Sequence, residues 1–240
     1  MKRQIVAFSG GKDSTALALE MVRRREPIHG LLVTPTGDEL PAVWKHWDAV
    51  AEHVGAPVIR PKAPSLAEAI ESQKALPNFR MRWCTRLIKI APMIAWAKTE
   101  GRGATVCVGL RADEPARTGI ISEHVPTRFP LREWGMGLED VMRVIAKSPF
   151  SVPKRTDCAR CYHQRIHEWW DLWHEHPDIF ESAVQDEHRT GHTYRTPGRD
   201  TWPVGLAELR TAFADGRIPK KRANLELFSG EEEMCRVCSL

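Results

Sequence analysis

Short apolar runs alternate with amphipathic segments through the first part of the chain. Apolar runs that end in turn residues predict buried strands at residues 4–8, 28–34, 56–60 and 104–110. Apolar positions at helical spacing predict helices at residues 13–26, 40–54, 65–73 and about 85–100, and another that begins near residue 137. Strands and helices that alternate in this way predict an α/β fold, with a parallel sheet covered by helices on both faces.

The pattern changes near residue 150. Beyond this point the chain carries paired cysteines, scattered Pro and Gly, and a Trp-rich stretch at residues 169–173. We therefore predict one α/β domain over residues 1–150. Residues 151–240 are predicted to form a Cys-rich, mostly helical C-terminal extension that packs against it.

A glycine-rich turn separates the first predicted strand from the first predicted helix. Its sequence is Ser9-Gly10-Gly11-Lys12-Asp13-Ser14. Glycines let the backbone approach an anion closely, and the start of the helix offers unpaired N–H groups and the positive end of its dipole. Lys12 adds positive charge, and the hydroxyl groups of Ser9 and Ser14 can donate to phosphate oxygens. Asp13 is expected either to cap the helix or to help hold Mg²⁺.

This turn resembles the PP-loop of the adenine nucleotide α-hydrolase-like superfamily, which makes residues 1–150 a nucleotide-binding domain with a Rossmann-like fold. Three further segments are similar to the phosphoadenosine-phosphosulfate (PAPS) reductase-like family of that superfamily. They are Thr-Gly-Asp-Glu-Leu-Pro at 36–41, Cys-Thr-Arg-Leu-Ile-Lys-Ile-Ala-Pro at 84–92 and Gly-Leu-Arg-Ala-Asp-Glu at 109–114. Among its members the chain looks similar to the ATP pyrophosphatases of the DNA phosphorothioation type.

The resemblance implies roles for residues of these segments. Ligands of such folds lie beyond the carboxyl ends of the strands. Thr34 and Gly37 are expected near the adenosine of the nucleotide, and Arg111 near its phosphates. With Lys12 and Asp13, Arg111 is a candidate catalytic residue. Further positive charge for a phosphate, a sulfate or a second substrate is offered by Arg82, Arg86 and Lys89. The whole loop from Ser9 to Ser14 is expected to hold ATP with Mg²⁺, or PAPS or adenosine phosphosulfate (APS).

Six cysteines form a second set of candidate residues. Cys158 and Cys161, like Cys235 and Cys238, have Cys-x-x-Cys spacing, which favours metal or redox chemistry in a reducing compartment. By the resemblance, Cys84 joins the first pair as a ligand of an iron–sulfur cluster, with Cys235 or Cys238 as the fourth.

Two alternatives to the cluster stay open. The two pairs alone would make a four-cysteine zinc site, and a thiol–disulfide redox pair is the other option. Basic residues around Cys84 are expected to lower the pKa of its thiol. Cys107, inside a predicted strand, is expected to be a small buried apolar residue.

Three functions follow from the resemblance. The first is an ATP pyrophosphatase-type enzyme that adenylates an acceptor, in sulfur-related group transfer. The second is a sulfonucleotide (PAPS or APS) reductase in which Cys235 or Cys238 is the nucleophile. The third is a nucleotide-binding subunit of a nucleic-acid-modifying complex.

Charge and hydropathy restrict the partners. The net charge of +4, from 35 basic and 31 acidic residues, permits nucleic acid as the unknown acceptor without demanding it. No apolar run reaches the roughly 20 residues of a membrane span, and we expect a cytoplasmic protein without a membrane partner. A sulfur-donor protein and a second copy of the chain, in a homodimer, are further candidate partners.

Overall fold

A parallel five-stranded sheet organises the first half of the chain. The computed structural model describes residues 3–117 and 124–220. The strands are β1 (Gln4–Ala7), β2 (Leu31–Leu32), β3 (Val58–Ile59), β4 (Thr105–Cys107) and β5 (Thr127–Arg128). Their order is β3-β2-β1-β4-β5, and each neighbouring pair is parallel. The predicted Rossmann-like α/β fold is confirmed.

Helices lie between most of the strands and form nearly half of the described residues outside the sheet. They are α1 (Lys12–Arg23), α2 (Pro41–Val54), α3 (Leu66–Gln73), α4 (Ala91–Lys98), α5 (Pro130–Glu133), α6 (Leu138–Ala146), α7 (Ile166–Glu175), α8 (Pro177–Thr190) and α9 (Leu206–Ala214). A π-helical segment, Thr85–Ile90, leads directly into α4. Within the described ranges, none of these helices is both long enough and apolar enough to cross a membrane.

Alternate residues of the strands face two separate hydrophobic cores. Ile5 and Val106 pack with Trp96 of α4 on one face of the sheet. Val6 and Cys107, the next residues in the same strands, pack on the other face with apolar side chains of α1, α2 and α6. This alternation follows from the two-residue repeat of a strand. Helices therefore cover both faces, as the sequence predicts.

A third core joins the C-terminal helices to an earlier part of the chain. Trp169, Phe180 and Phe213, from α7, α8 and α9, pack in one buried cluster with Leu66 of α3 and Ile88 of the π-helical segment. The described residues beyond 150 thus share their core with residues 66–88. The boundary at residue 150 stays a prediction, and Cys235 and Cys238 lie outside the described residues.

Two elements differ from the sequence predictions. Strand β5 was missed because Thr127 and Arg128 are polar and form no apolar run, whereas the equally short β2 and β3 lie within apolar runs. The single helix predicted near residues 85–100 is instead the π-helical segment followed by α4. Pro92 occupies the first turn of α4 and has no N–H to donate to the preceding turn, which is consistent with the wider π turns before it.

Candidate functional site: a nucleotide cleft beside a cysteine cavity

A cleft opens at the carboxyl ends of β1, β2 and β4. Ser9, Thr34 and Gly109 line it where these strands end, and Leu32 and Val108 add apolar surface. From β1 the chain runs outward on one side of the sheet through β2 and β3, and then returns to the other side of β1 as β4. The cleft lies at this point, where the strand order reverses. Such a point is the usual ligand site of an open parallel sheet.

The phosphate loop has a backbone that only glycine can supply at one position. Gly10 has a φ of +83°, and a Cβ there would lie 2.6 Å from Nε1 of Trp47. The same Trp47 nitrogen donates a hydrogen bond to the carbonyl of Ser9 at 3.0 Å. Helix α2 therefore holds the loop in place through Trp47.

The start of α1 is open to an anion. Gly11 is its N-cap residue, and no described side chain caps the helix there. The hydroxyl groups of Ser9 and Ser14 lie 3.2 Å apart, and Ser14 Oγ donates to the carbonyl of Gly11 at 3.1 Å. The first N–H groups of α1 and two hydroxyl groups are thus placed together at the cleft, as a phosphate site requires.

Asp13 does not cap the helix. It is the second residue of α1, and its carboxylate lies 3.5 Å from Nζ of Lys12 and accepts a hydrogen bond from Nη1 of Arg111 at 3.1 Å. Asp13 itself lines the cleft. Lys12 is 1% exposed, and its Nζ has no hydrogen-bond partner within the described chain. These contacts make Asp13 an anionic group held between two buried cations.

Arg111 lies behind the cleft rather than in its lining. It is buried, and besides Asp13 it contacts Asp113 at 2.9 Å and Glu114 at 3.5 Å. Three carboxylates therefore surround this one guanidinium, which reaches the cleft through Asp13. The predicted roles of Lys12 and Arg111 toward phosphate stay predictions.

The turn after β2 places a second carboxylate at the cleft. Glu39 lines the cleft and accepts hydrogen bonds from N and Oγ1 of Thr36, both at 2.7 Å, and from N of Gly37 at 3.1 Å. Gly37 has a φ of +74°, so its contribution is the shape of this turn. Thr34, by contrast, lines the cleft directly, and its predicted contact with adenosine is not tested by the structure.

Two basic residues also belong to the cleft lining, and one of them, Arg117, was not a predicted ligand. Arg117 lines the cleft and pairs with Glu114 at 3.0 Å. Arg132 fixes the backbone of this loop by donating to the carbonyls of Glu114 and Arg117 at 2.5 and 2.7 Å. Lys89 also lines the cleft. Lys89 belongs to the Cys-Thr-x-x-x-Lys segment, whose basic residues are expected to offer charge to a phosphate, a sulfate or a second substrate.

A small cavity adjoins the cleft and brings three of the predicted metal ligands together. Cys84, Cys158 and Cys161 all line it, as does Lys89, which therefore borders both spaces. The cavity holds about 10 Å³, close to the space of one water molecule. Among the described residues, no group of three or more His, Cys, Asp or Glu side chains is arranged to hold a metal ion. The ligand roles of these cysteines remain predictions.

Burial and mutual contact determine the thiol chemistry of the cavity. Burial raises the pKa of Cys84, and the neighbouring Cys161 raises it further. The expectation that basic neighbours lower this pKa is therefore wrong, because desolvation outweighs the positive charge of Lys89. A hydrogen bond between Cys158 and Cys161 raises the pKa of Cys158 well above its usual value and lowers that of Cys161.

Cys107 is separate from this group. It is fully buried in β4, and its thiol donates to Oε1 of Gln4 at 3.4 Å. Burial raises its pKa to about 11. The prediction of a small buried residue without site chemistry fits this position.

A comparison with known protein families shows which family this chain belongs to. Residues 3–128 match the phosphoadenosine phosphosulfate reductase domain. The chain belongs to this family. Members of this PAPS reductase-like family are enzymes that bind adenine nucleotides such as PAPS or ATP, and they share the PP-loop.

Two solved structures resemble this PAPS reductase-like chain. One is the phosphate complex of PAPS reductase from Candida auris, with 18% identity, coverage of 63% of this chain and 75% of the other, and a TM-score of 0.49. The other is NMN synthetase from Francisella tularensis, with 14% identity, coverage of 93% and 90%, and a TM-score of 0.45. No curated protein sequence matches the chain.

In this family member, one acidic residue links the nucleotide-binding sheet to the loop at residues 158–161, which we call the cysteine loop. The carboxylate of Asp38, in the turn after β2, accepts hydrogen bonds from Nε and N of Arg160 at 2.6 and 2.8 Å. Arg160 lies between Cys158 and Cys161 and also contacts Asp186 of α8 at 2.6 Å. Burial raises the pKa of Asp38, against the effect of the arginine. Asp38 and Glu39 thus connect the cysteine loop and the cleft lining through adjacent residues.

Proposed function

We propose that this chain is an ATP pyrophosphatase-type enzyme. It binds ATP with Mg²⁺ in the cleft, cleaves it between the α and β phosphates, and adenylates an acceptor in sulfur-related group transfer. The observation that carries this proposal is the carboxylate of Asp13, which lines the cleft beside the phosphate loop and contacts both Lys12 and Arg111.

A carboxylate at a phosphate site favours one class of nucleotide. Asp13 repels a bare phosphate or sulfate, and a cation between the two groups would turn this repulsion into attraction. Mg²⁺ is bound in proteins through one or two carboxylates together with substrate phosphates, and Asp13 would hold it here. When bound, the ion would neutralise charge on the polyphosphate. These preferences support ATP over a sulfonucleotide.

The chain's own groups have distinct tasks in the proposed reaction. The N–H groups at the start of α1 and the hydroxyl groups of Ser9 and Ser14 bind and orient the phosphates. A nucleophilic atom of the acceptor forms a bond to the α phosphorus, and the bond from that phosphorus to the bridging oxygen breaks. The bridging oxygen keeps the electron pair and leaves as pyrophosphate. Lys12 and the helix dipole stabilise the charge that develops on it.

We further propose a sulfur-ligated centre at the cysteine cavity, with an iron–sulfur cluster preferred to zinc. The cavity has the space of about one water molecule, so a cluster, unlike a single zinc ion, would have to displace the side chains around it. Cys84, Cys158 and Cys161 would be its ligands, with Cys235 or Cys238 as the fourth, and it would supply the sulfur-linked chemistry. Nitrogen donors of three residues in the same segments are buried without a hydrogen-bond partner in the described chain. They are Nε and Nη2 of Arg82, Nε1 of Trp83 and Nε of Arg155. The sulfides of a cluster would accept hydrogen bonds from such donors.

Elemental analysis tests the centre. We expect anaerobically purified protein to contain iron and acid-labile sulfide, and Cys161→Ala to lose both while the buried control Cys107→Ala keeps them. A colourless protein that contains zinc would show that the centre is the zinc alternative and not a cluster. A protein without iron or zinc, or a Cys161→Ala variant with full metal content, would contradict the proposed centre.

Nucleotide titrations test the proposed ATP site. We expect the protein to bind ATP about tenfold more tightly with Mg²⁺ than with EDTA, a difference of roughly 1.4 kcal/mol. Asp13→Asn should remove most of this difference. The matched control is Asp48→Asn, which removes an exposed carboxylate of α2 that pairs with Arg60 at 3.2 Å, and it should behave as the wild type.

The alternative function predicts a different result in the same titrations. A sulfonucleotide reductase with its nucleophilic cysteine at residue 235 or 238 should bind PAPS without Mg²⁺ more tightly than ATP with Mg²⁺. Asp13→Asn should then strengthen binding of PAPS, because a repulsive charge is removed. That pair of results would overturn the proposed ATP pyrophosphatase activity.

A further inference from the structure

An exposed aromatic side chain lies beside two exposed arginines next to the cysteine cavity. We call this the Phe79 surface and define it by Phe79, Arg80, Met81, His163 and Arg199. Phe79 and Met81 are each 48% exposed, and both arginines are exposed. Isolated exposed apolar residues are common, but two within one short turn, flanked by positive charge, form a patch that suits a ligand.

The turn that carries Phe79 has a defined backbone. Oδ1 of Asn78 accepts hydrogen bonds from N of Arg80 and N of Met81, both at 2.9 Å, and N of Asn78 donates to the carbonyl of Met81 at 3.2 Å. These bonds fix the orientation of the turn. Little conformational entropy is then lost when a ligand binds to it.

The ring of Phe79 packs against two other aromatic rings. Its centroid is 5.2 Å from that of Tyr162 and 4.7 Å from that of His163, both in edge-on geometry. The guanidinium of Arg199 lies 6.0 Å from the Phe79 centroid. The exposed part of Phe79 is therefore a rigid aromatic surface beside a cation.

The arginines of this surface form no ion pairs among the described residues, although Asp200, which pairs with Arg195, also interacts electrostatically with Arg199. Arg80 and Arg199 form no ion pair with any described carboxylate. By contrast, the helical residues Arg23, Arg143 and Arg210 each do. Arg199 instead donates to the carbonyl of Gln164 at 3.0 Å. The Phe79 surface thus combines positive charge with an exposed ring.

The position of the Phe79 surface connects it to the proposed reaction. Pro77, two residues before Phe79, and Tyr162, which packs against it, both line the cysteine cavity. Lys89 lines that cavity and the nucleotide cleft. A ligand on the Phe79 surface would therefore lie beside the cysteines, which themselves adjoin the nucleotide.

We propose that the Phe79 surface binds single-stranded nucleic acid, with one base stacked on Phe79 and neighbouring phosphates at Arg80 and Arg199. Aromatic stacking combined with positive charge is how proteins bind single strands without strong sequence preference. In a duplex the bases are stacked on one another and do not present a free face. An acidic peptide would use the arginines but would gain nothing from stacking. That the bound strand is also the acceptor of the proposed adenylation rests on the proposed function. That the strand binds to this surface does not depend on it.

Fluorescence anisotropy with a labelled single strand of about 12 nucleotides tests this surface without ATP. We expect Phe79→Ala to weaken binding about 5- to 150-fold, and Phe79→Tyr to restore it because the ring is retained. Arg80→Gln should weaken binding and reduce the slope of log K against log salt by about 0.7. The control Arg102→Gln, between α4 and β4 at the amino end of the sheet, should bind as the wild type.

Three results would overturn the inference: a wild type that does not bind the strand at low salt, a Phe79→Ala variant that binds normally, and duplex DNA or poly-glutamate that binds equally well. ATP titrations and thermal unfolding of the same preparations separate the causes. Normal ATP binding without strand binding would refute nucleic-acid binding at the Phe79 surface and leave the proposed function intact. Strand binding without ATP binding removes the proposed function and leaves the Phe79 surface.

Discussion

Gly109→Ala is predicted to damage nucleotide binding although residue 109 carries no functional group. A Cβ at this position would lie 3.0 Å from the carbonyl oxygen of Asp13, 3.1 Å from its carbonyl carbon and 3.2 Å from N of Ser14. All three atoms belong to the backbone of the first turn of α1. Unlike a flexible side chain, that turn can move only as a unit.

The magnitude follows from these distances. Ordinary contacts of a Cβ atom begin near 3.4 Å, so the start of α1 must shift by a few tenths of an ångström. Overpacking of this kind costs about 1–3 kcal/mol of folding stability. The N–H groups that bind phosphate shift with the turn, and we expect ATP affinity to fall about tenfold or more, since phosphate sites depend on their alignment.

Calorimetric titration with ATP, beside chemical denaturation, measures both effects. Gly205→Ala is the control, because the nearest atoms to its added Cβ are those of the flexible Glu208 side chain at the start of α9. It should lose some stability and keep its ATP affinity. If Gly109→Ala binds ATP as tightly as the wild type, the close approach of β4 to the phosphate loop is not what positions the site.

Three further predictions concern the support of the two sites. Trp47→Phe should weaken ATP binding severalfold, since the hydrogen bond to the carbonyl of Ser9 is lost while the ring is kept, and the same titration measures it. Tyr194→Phe should cost about 1.5–3 kcal/mol in denaturation, because its hydroxyl donates to buried Asp186 at 2.9 Å. Burial raises the pKa of Glu187 from 4.5 to about 7. Stability should therefore fall as pH rises from about 4.5 to 7, and Glu187→Gln should flatten that slope.

Much of the nucleotide cleft was predictable from the sequence. Ser9 to Ser14 form a local motif between a strand and a helix, and such a motif carries its own geometry wherever the sheet places it. Thr34 and the segment at 109–114 follow strands, and parallel strands bring these ends to one edge. Their relative positions follow from the alternation of strands and helices alone.

The electrostatic details were not predictable in the same way. The segment at 109–114 shows Asp113 and Glu114 near Arg111 in the chain, but it does not show that both contact its guanidinium or that Asp13 joins them from α1. The pKa of Cys84 was expected to fall because basic neighbours are visible in the sequence, whereas burial is not. The connection from Asp38 to Arg160 joins residues 122 positions apart, and no local pattern shows such a pairing.

The products formed from ATP test the central proposal most directly. The purified protein is incubated with ATP, Mg²⁺ and a single-stranded oligonucleotide, and the nucleotides and phosphates are separated and identified. Cleavage between the α and β phosphates predicts pyrophosphate, together with AMP or an adenylated oligonucleotide, and Asp13→Asn should reduce both products. ADP with inorganic phosphate, or no reaction with ATP alongside thioredoxin-dependent release of sulfite from PAPS, would contradict it.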